Sequence, residues 1–169
     1  MKVRGLISAL HTMAPVHERI LHATSDDGYQ FAGWLCEPTD AAVDAKPTLV
    51  LWVHGLHLSF ANPEYCAIGR AVAARGVAFL SVQTKGHDFG AWVRGPSGAK
   101  LVGSGWEIFT ECLADLGGWL AAARGQGFER IVLVGHGYGA AKVVFFQAER
   151  QDRGVCAVVV ASSGSLVRD

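Results

Sequence analysis

Apolar and polar positions run along this chain in an order that predicts its elements. From Val16 to Pro38, two runs of mixed apolar and polar residues flank Ser25-Asp26-Asp27-Gly28. Asp27-Gly28 is a strong turn signal, so the segment predicts a β-hairpin. A polar connection, DAAVDAKP, leads to TLVLWVHG, a continuous apolar run as expected of a strand covered on both faces. Asn62 and Pro63 suit the cap and first turn of a helix in which Tyr65, Ile68 and Val72 share a face and which Gly76 ends. VAFLSVQ predicts a second buried strand, followed by a loop from Thr84 to Gly105. From Trp106 to Arg124, Phe109, Cys112, Leu113, Leu116 and Leu120 recur at helical spacing, with Glu107, Glu111 and Asp115 mostly off that face. RIVLVGH predicts a strand, GAAKVVFFQAERQD a helix, and VCAVVVASS a last buried strand.

After the hairpin, strands and helices therefore alternate. That order implies an α/β fold, a mainly parallel sheet with helices on both faces. Ligands bind such sheets outside the carboxyl ends of the strands. Those ends carry HGLH, KGHDFG and GHGYG, which places any site there.

Composition narrows the reading. At 169 residues, half of them apolar and 21 of them glycine, the chain suits one domain over residues 1–169, with residues 1–14 as an N-terminal arm. The formal charge is zero and no basic stripe is present, so a nucleic-acid partner has no electrostatic support. The four cysteines, Cys36, Cys66, Cys112 and Cys156, form no C-x-x-C pair and sit in apolar segments, which reads as small buried hydrophobes in a reducing, cytoplasmic setting. The apolar run GLISAL is short for a signal peptide, no run spans a bilayer, and no cofactor or metal is expected.

LVGHGYGAA, with Gly135, Gly137 and Gly139, resembles the nucleophile elbow G-x-S-x-G of the α/β-hydrolase fold family. LWVHGL resembles that family's oxyanion loop, TKGHDFG its loop after the fourth strand (with Lys85 where arginine is common), and SDDGYQFAGWLCEP its first hairpin. The resemblance spans roughly residues 16 to 163. It implies a nucleophile at the elbow, followed in chain order by an acid and a histidine. Here glycine, Gly137, stands at the nucleophile position. Glu149, Asp152 and Asp169 are the acids left downstream, and no histidine follows His136. No catalytic residue is assigned. The amides of Leu56 and Tyr138 match the family's oxyanion donors, and these need no particular side chain.

The candidate crevice comprises Leu56, His57, His87, Asp88, His136 and Tyr138, with Phe89, Trp92 and Trp106 able to line it or to pack under the loops. The histidines His54, His57, His87 and His136 raise a metal site or a relocated acid–base pair, against framework histidines that brace turns; the spacings match no metal motif. The implied form is a shortened member lacking C-terminal strands and cap. In it Val155 to Ser162 becomes an apolar edge strand that a second copy, a separate chain or a rearranged terminus covers. The expected function is that of a non-hydrolytic hydrolase-like protein, a homodimer or assembly subunit. It would bind a small, mainly apolar carbonyl compound and guide its cyclisation or isomerisation without a covalent step. The alternative is one part of a split or partner-completed ester or thioester hydrolase.

Overall fold

The computed structural model describes residues 15–39 and 47–162. The arm 1–14 and the polar connection 40–46 lie outside the described residues. The chain forms β1 (Val16–Thr24), β2 (Gln30–Pro38), β3 (Thr48–Val53), α1 (Pro63–Ala73), β4 (Ala78–Val82), β5 (Ala91–Gly95), β6 (Gly98–Val102), α2 (Cys112–Gly125), β7 (Arg130–His136), α3 (Tyr138–Arg150) and β8 (Val155–Ala161).

Six strands make one sheet in the order β1-β2-β4-β3-β7-β8. β1, β2 and β4 pair antiparallel; β4, β3, β7 and β8 run parallel. The central strands are buried on both faces, which their unbroken apolar runs require. Leu49, Leu51 and Val53 of β3 face a core that α2 and α3 cover with Leu116, Trp119, Leu120, Val143 and Phe146. Trp52, between them in sequence, faces the opposite side, where Trp34, Phe79 and Tyr65 of α1 pack. Helices therefore lie on both faces, as the alternation predicts.

Several local expectations change. The segment after β4 is no plain loop: Pro96-Ser97 turns a small separate hairpin, β5–β6. α2 starts at Cys112 behind a 3₁₀ turn over Phe109–Glu111, not at Trp106. On α1, Asn62 Oδ1 caps the Glu64 amide as expected, but the buried face is Tyr65, Gly69 and Ala73, and Ile68 is exposed. Gly69 fits because a side chain there would run into Trp34 and Phe79. Asp115 is fully buried although its charge reads as surface. Of the cysteines, Cys36 and Cys112 are buried, Cys66 is half-buried and Cys156 is exposed. β8 is not a buried strand: it pairs only with β7 among the described residues, and Cys156 to Val160 are exposed.

Candidate functional site

Strands β3 and β7 are neighbours, yet their outgoing connections part. The chain leaves β3 through α1 on one face and returns at β4; it leaves β7 through α3 on the other face and returns at β8. Such a switch point opens a crevice between the two loops. It falls between Gly55–His57 and Gly137–Tyr138.

The turn at Gly137 has φ 54° and ψ −119°, a conformation that costs an L-residue on the order of 1–3 kcal/mol and glycine little. Its amide is held by Ala161 O at 3.0 Å, and its carbonyl accepts from the Ala140 amide at 3.1 Å. The flanking glycines serve close approach: a Cβ at Gly135 would sit 2.3 Å from Gly139 O, and one at Gly139 would sit 2.5 Å from the carbonyls of Val53 and His54. At Gly137 itself a Cβ would meet only Gly55 Cα, at 3.6 Å. The turn is wound for a displayed side chain, and none is there.

Across from it, Gly55 O accepts from His54 Nδ1 at 2.9 Å and from the Leu58 amide at 3.2 Å. In a trans peptide the N–H points opposite to the C=O. The Leu56 amide therefore faces away from the buried His54 ring, on the side of the crevice. Tyr138 opens α3, so its amide has no partner within the helix. Neither amide meets a protein acceptor among the described residues. Both are backbone donors left open to an acceptor.

The four histidines do not converge. His54 is fully buried, and its pKa is pushed down to about 3 by desolvation and then by the Lys142 charge, so the ring is neutral. His136 is engaged below the turn: Tyr65 Oη takes the Gly55 amide proton at 3.1 Å and gives its own to His136 Nδ1 at 2.8 Å, while Trp52 stacks on the ring. His87 donates from Nδ1 to Asp88 Oδ2 at 2.7 Å and turns its edge toward Phe31. Its buried Nε2 finds no partner among the described residues. His57 is exposed, stacks on Phe89 and bonds Ser104 Oγ through Nδ1. Among the described residues no three His, Cys, Asp or Glu side chains are placed to share a metal ion.

His57 and Asp88 both adopt positive φ, 60° and 53°. Their loops are tied together by Asp88 N–H to Leu58 O at 3.1 Å and Ser104 N–H to Asp88 O at 3.0 Å. Phe89 packs edge-on to Trp106, and both are exposed, as are Leu56 and Trp92 (71 %). His57, Phe89 and Trp106 thus form an exposed aromatic rim beside the Asp88 loop.

Beneath the rim lies a layer of buried charge that the sequence reading missed. Lys85 Nζ bonds Asp115 Oδ1 at 2.7 Å and Asp27 Oδ2 at 2.9 Å. Burial opposes its charge, but the two carboxylates outweigh that and hold its pKa above the ordinary range. Lys142 Nζ lies 2.5 Å from Glu107 Oε1 and 3.0 Å from Thr84 Oγ1. Lys142 sits mid-helix in an apolar run; a charge interrupting GAAKVVFF was the available signal.

No protein-family model and no curated protein matches the chain. Solved structures do. A cold-adapted esterase from an Arctic intertidal metagenomic library matches at 16% identity and TM-score 0.63, over 86% of this chain and 60% of that one. The chain has an α/β-hydrolase-like fold. The α/β hydrolase GrgF from Penicillium agrees, at 14% identity and TM-score 0.63, over 85% of this chain and 45% of that one. So does a bacterial heroin esterase, at 23% identity and TM-score 0.55, over 91% and 45%. The chain spans between 45% and 60% of the length of these hydrolase neighbours. Among the described residues no helix is long and apolar enough to cross a membrane.

Proposed function

We propose that this chain is a non-hydrolytic α/β-hydrolase-like protein. One domain over residues 1–169 binds a small, mainly apolar carbonyl compound in the crevice between Leu56 and Tyr138. The carbonyl oxygen accepts from the two amides, and the aromatic rim of Phe89, Trp92 and Trp106 covers the apolar part. His57, His87, Asp88 and His136 frame the crevice. The bound compound is guided to cyclise or isomerise without a covalent enzyme intermediate.

The observation that carries this reading is Gly137. The elbow keeps its winding and its close-packed glycines, but the residue it displays has no attacking atom. The test is turnover of short aryl esters by the purified chain and by Gly137→Ser. Neither is expected to exceed the buffer rate. Turnover by the unmodified chain overturns the non-hydrolytic reading. Turnover by the variant alone overturns the claim that base and acid are missing.

The assembly reading rests on β8. Its exposed edge carries Val158, Val159 and Val160 with no charge to deter pairing. A second copy pairs along Val155 to Ser162 about a two-fold axis. A second functional reading, one part of a split or partner-completed ester hydrolase, is favoured by the elbow winding and the close-packed glycines that the chain keeps. It requires another chain to bring nucleophile, base and acid together.

A further inference from the structure

Lys142 is 1% exposed, in α3 four residues after Tyr138. An ammonium only donates. Its contact with Thr84 Oγ1 at 3.0 Å therefore uses a lone pair of that hydroxyl, and the hydroxyl proton is free to go elsewhere. His54 Nε2 lies 3.1 Å from the same oxygen and 3.3 Å from the Thr84 amide nitrogen. Two donors meeting at Nε2 require its lone pair there. The proton of the neutral ring then belongs on Nδ1, which donates to Gly55 O at 2.9 Å. The Thr84 amide can only donate, so it already calls for the lone pair on Nε2; the ammonium, which also only donates, leaves the Thr84 hydroxyl proton available to join it. Glu107 anchors the ammonium from the far side.

We propose that Thr84 is a positioning residue: through His54 it fixes the orientation of the Gly55–Leu56 peptide and so aims the Leu56 amide at the crevice, with Lys142 holding the Thr84 hydroxyl oxygen. The relay also explains why two charged side chains are buried under a site that presents only backbone to its ligand. Without the Thr84 hydroxyl proton, Nε2 keeps only the longer amide contact at 3.3 Å, and the tautomer with its proton on Nε2 gains population. Nδ1 then turns a lone pair toward Gly55 O, two acceptors face each other, and the peptide swings. Burial and the Lys142 charge reinforce the arrangement by keeping the ring from taking a second proton.

The use of that amide for a carbonyl oxygen rests on the function proposed above; the relay itself does not. The test uses the full chain with ¹⁵N labelling, in wild type, Thr84→Val and Thr84→Ser. Acetophenone is the probe, because a neutral ketone does not respond directly to buried charge. In wild type and Thr84→Ser, the His54 nitrogen shifts should show Nδ1 protonated and Nε2 bare. In Thr84→Val, with Lys142 and Glu107 untouched, the two nitrogens should move toward each other. The Leu56 amide resonance should move, and the acetophenone-induced shift at Leu56 should be lost. An Nε2-protonated His54 in the wild type overturns the proposal, as does a Thr84→Val variant with unchanged His54 tautomer and an unchanged Leu56 amide resonance. If the relay behaves as expected but acetophenone moves no resonance in wild type, the carbonyl-binding function fails and the relay stands.

Discussion

Glu107 and Lys142 meet beneath the elbow helix, with 2.5 Å between Oε1 and Nζ and both side chains shut off from water. Two ions taken out of solvent this completely depend on each other. Removing one leaves the other without compensation. Lys142→Met should therefore destabilise the fold by about 3–5 kcal/mol, and Lys142→Met with Glu107→Leu should recover most of that loss. Urea unfolding of the single and double variants measures both. Additive losses would show that the ions are not coupled.

His54 gives the fold an acid-sensitive component. Its pKa is about 3 in the folded chain against an ordinary 6.5. Below about 6.5 the unfolded chain takes up a proton at this residue that the folded chain refuses. The stabilisation is complete above that pH and drains away as pH falls toward 3, at up to about 1.4 kcal/mol per pH unit. His54→Asn should remove this part of the slope. The difference between the two proteins in urea midpoint, followed from pH 7 to pH 4, isolates it.

Two of the elbow glycines should answer differently to one methyl group. Gly139→Ala drives a Cβ to 2.5 Å from two carbonyl oxygens of the β3 end and should cost about 3 kcal/mol or more. Gly137→Ala meets nothing closer than 3.6 Å and carries only the strain of positive φ, on the order of 1–2 kcal/mol. Melting temperatures of the two variants should rank accordingly. The reverse order would mean that the turn is not wound as described.

Thiol reactivity should sort by position. Cys156 is exposed, whereas burial pushes the Cys36 and Cys112 thiols up to about 11. A chromogenic disulfide reagent at pH 8 should modify Cys156 first, Cys66 more slowly, and Cys36 and Cys112 only after denaturant is added. Peptide mapping after a brief exposure reads the order.

A charge on the edge strand should oppose pairing. Val159→Lys replaces an exposed apolar side chain of β8 and should shift sedimentation toward the smaller species at any given concentration. A sedimentation profile identical to that of the unmodified chain, at the same protein concentrations, would remove β8 from the interface.

The sheet was legible because burial on both faces writes itself into a sequence as an unbroken apolar run, whereas the switch point came only with the strand order. TLVLWV and RIVLVG leave little choice. The β5–β6 hairpin was not read because its strands are short and half-exposed, although Pro96-Ser97-Gly98 marked the turn. α2 was placed too early because Phe109 keeps helical spacing while sitting in a 3₁₀ turn. The charged layer escaped for a different reason. Lys85 finds Asp115 thirty residues away, and Lys142 finds Thr84 fifty-eight residues away. No local period encodes such pairs, so each charge read alone as surface. At the site, Gly137 was legible from the motif, whereas the direction of the Leu56 amide came only from where Gly55 O was seen to point.

The open space above Gly137 also makes this chain a chemist's blank. Neighbouring backbone already holds the bend that a displayed thiol or selenol would occupy, and the nearest atom leaves ordinary contact distance. A cysteine placed there would stand at the end of a prepared pedestal, facing two ready donors. Whatever reactivity it gained would report on how this bend presents a side chain.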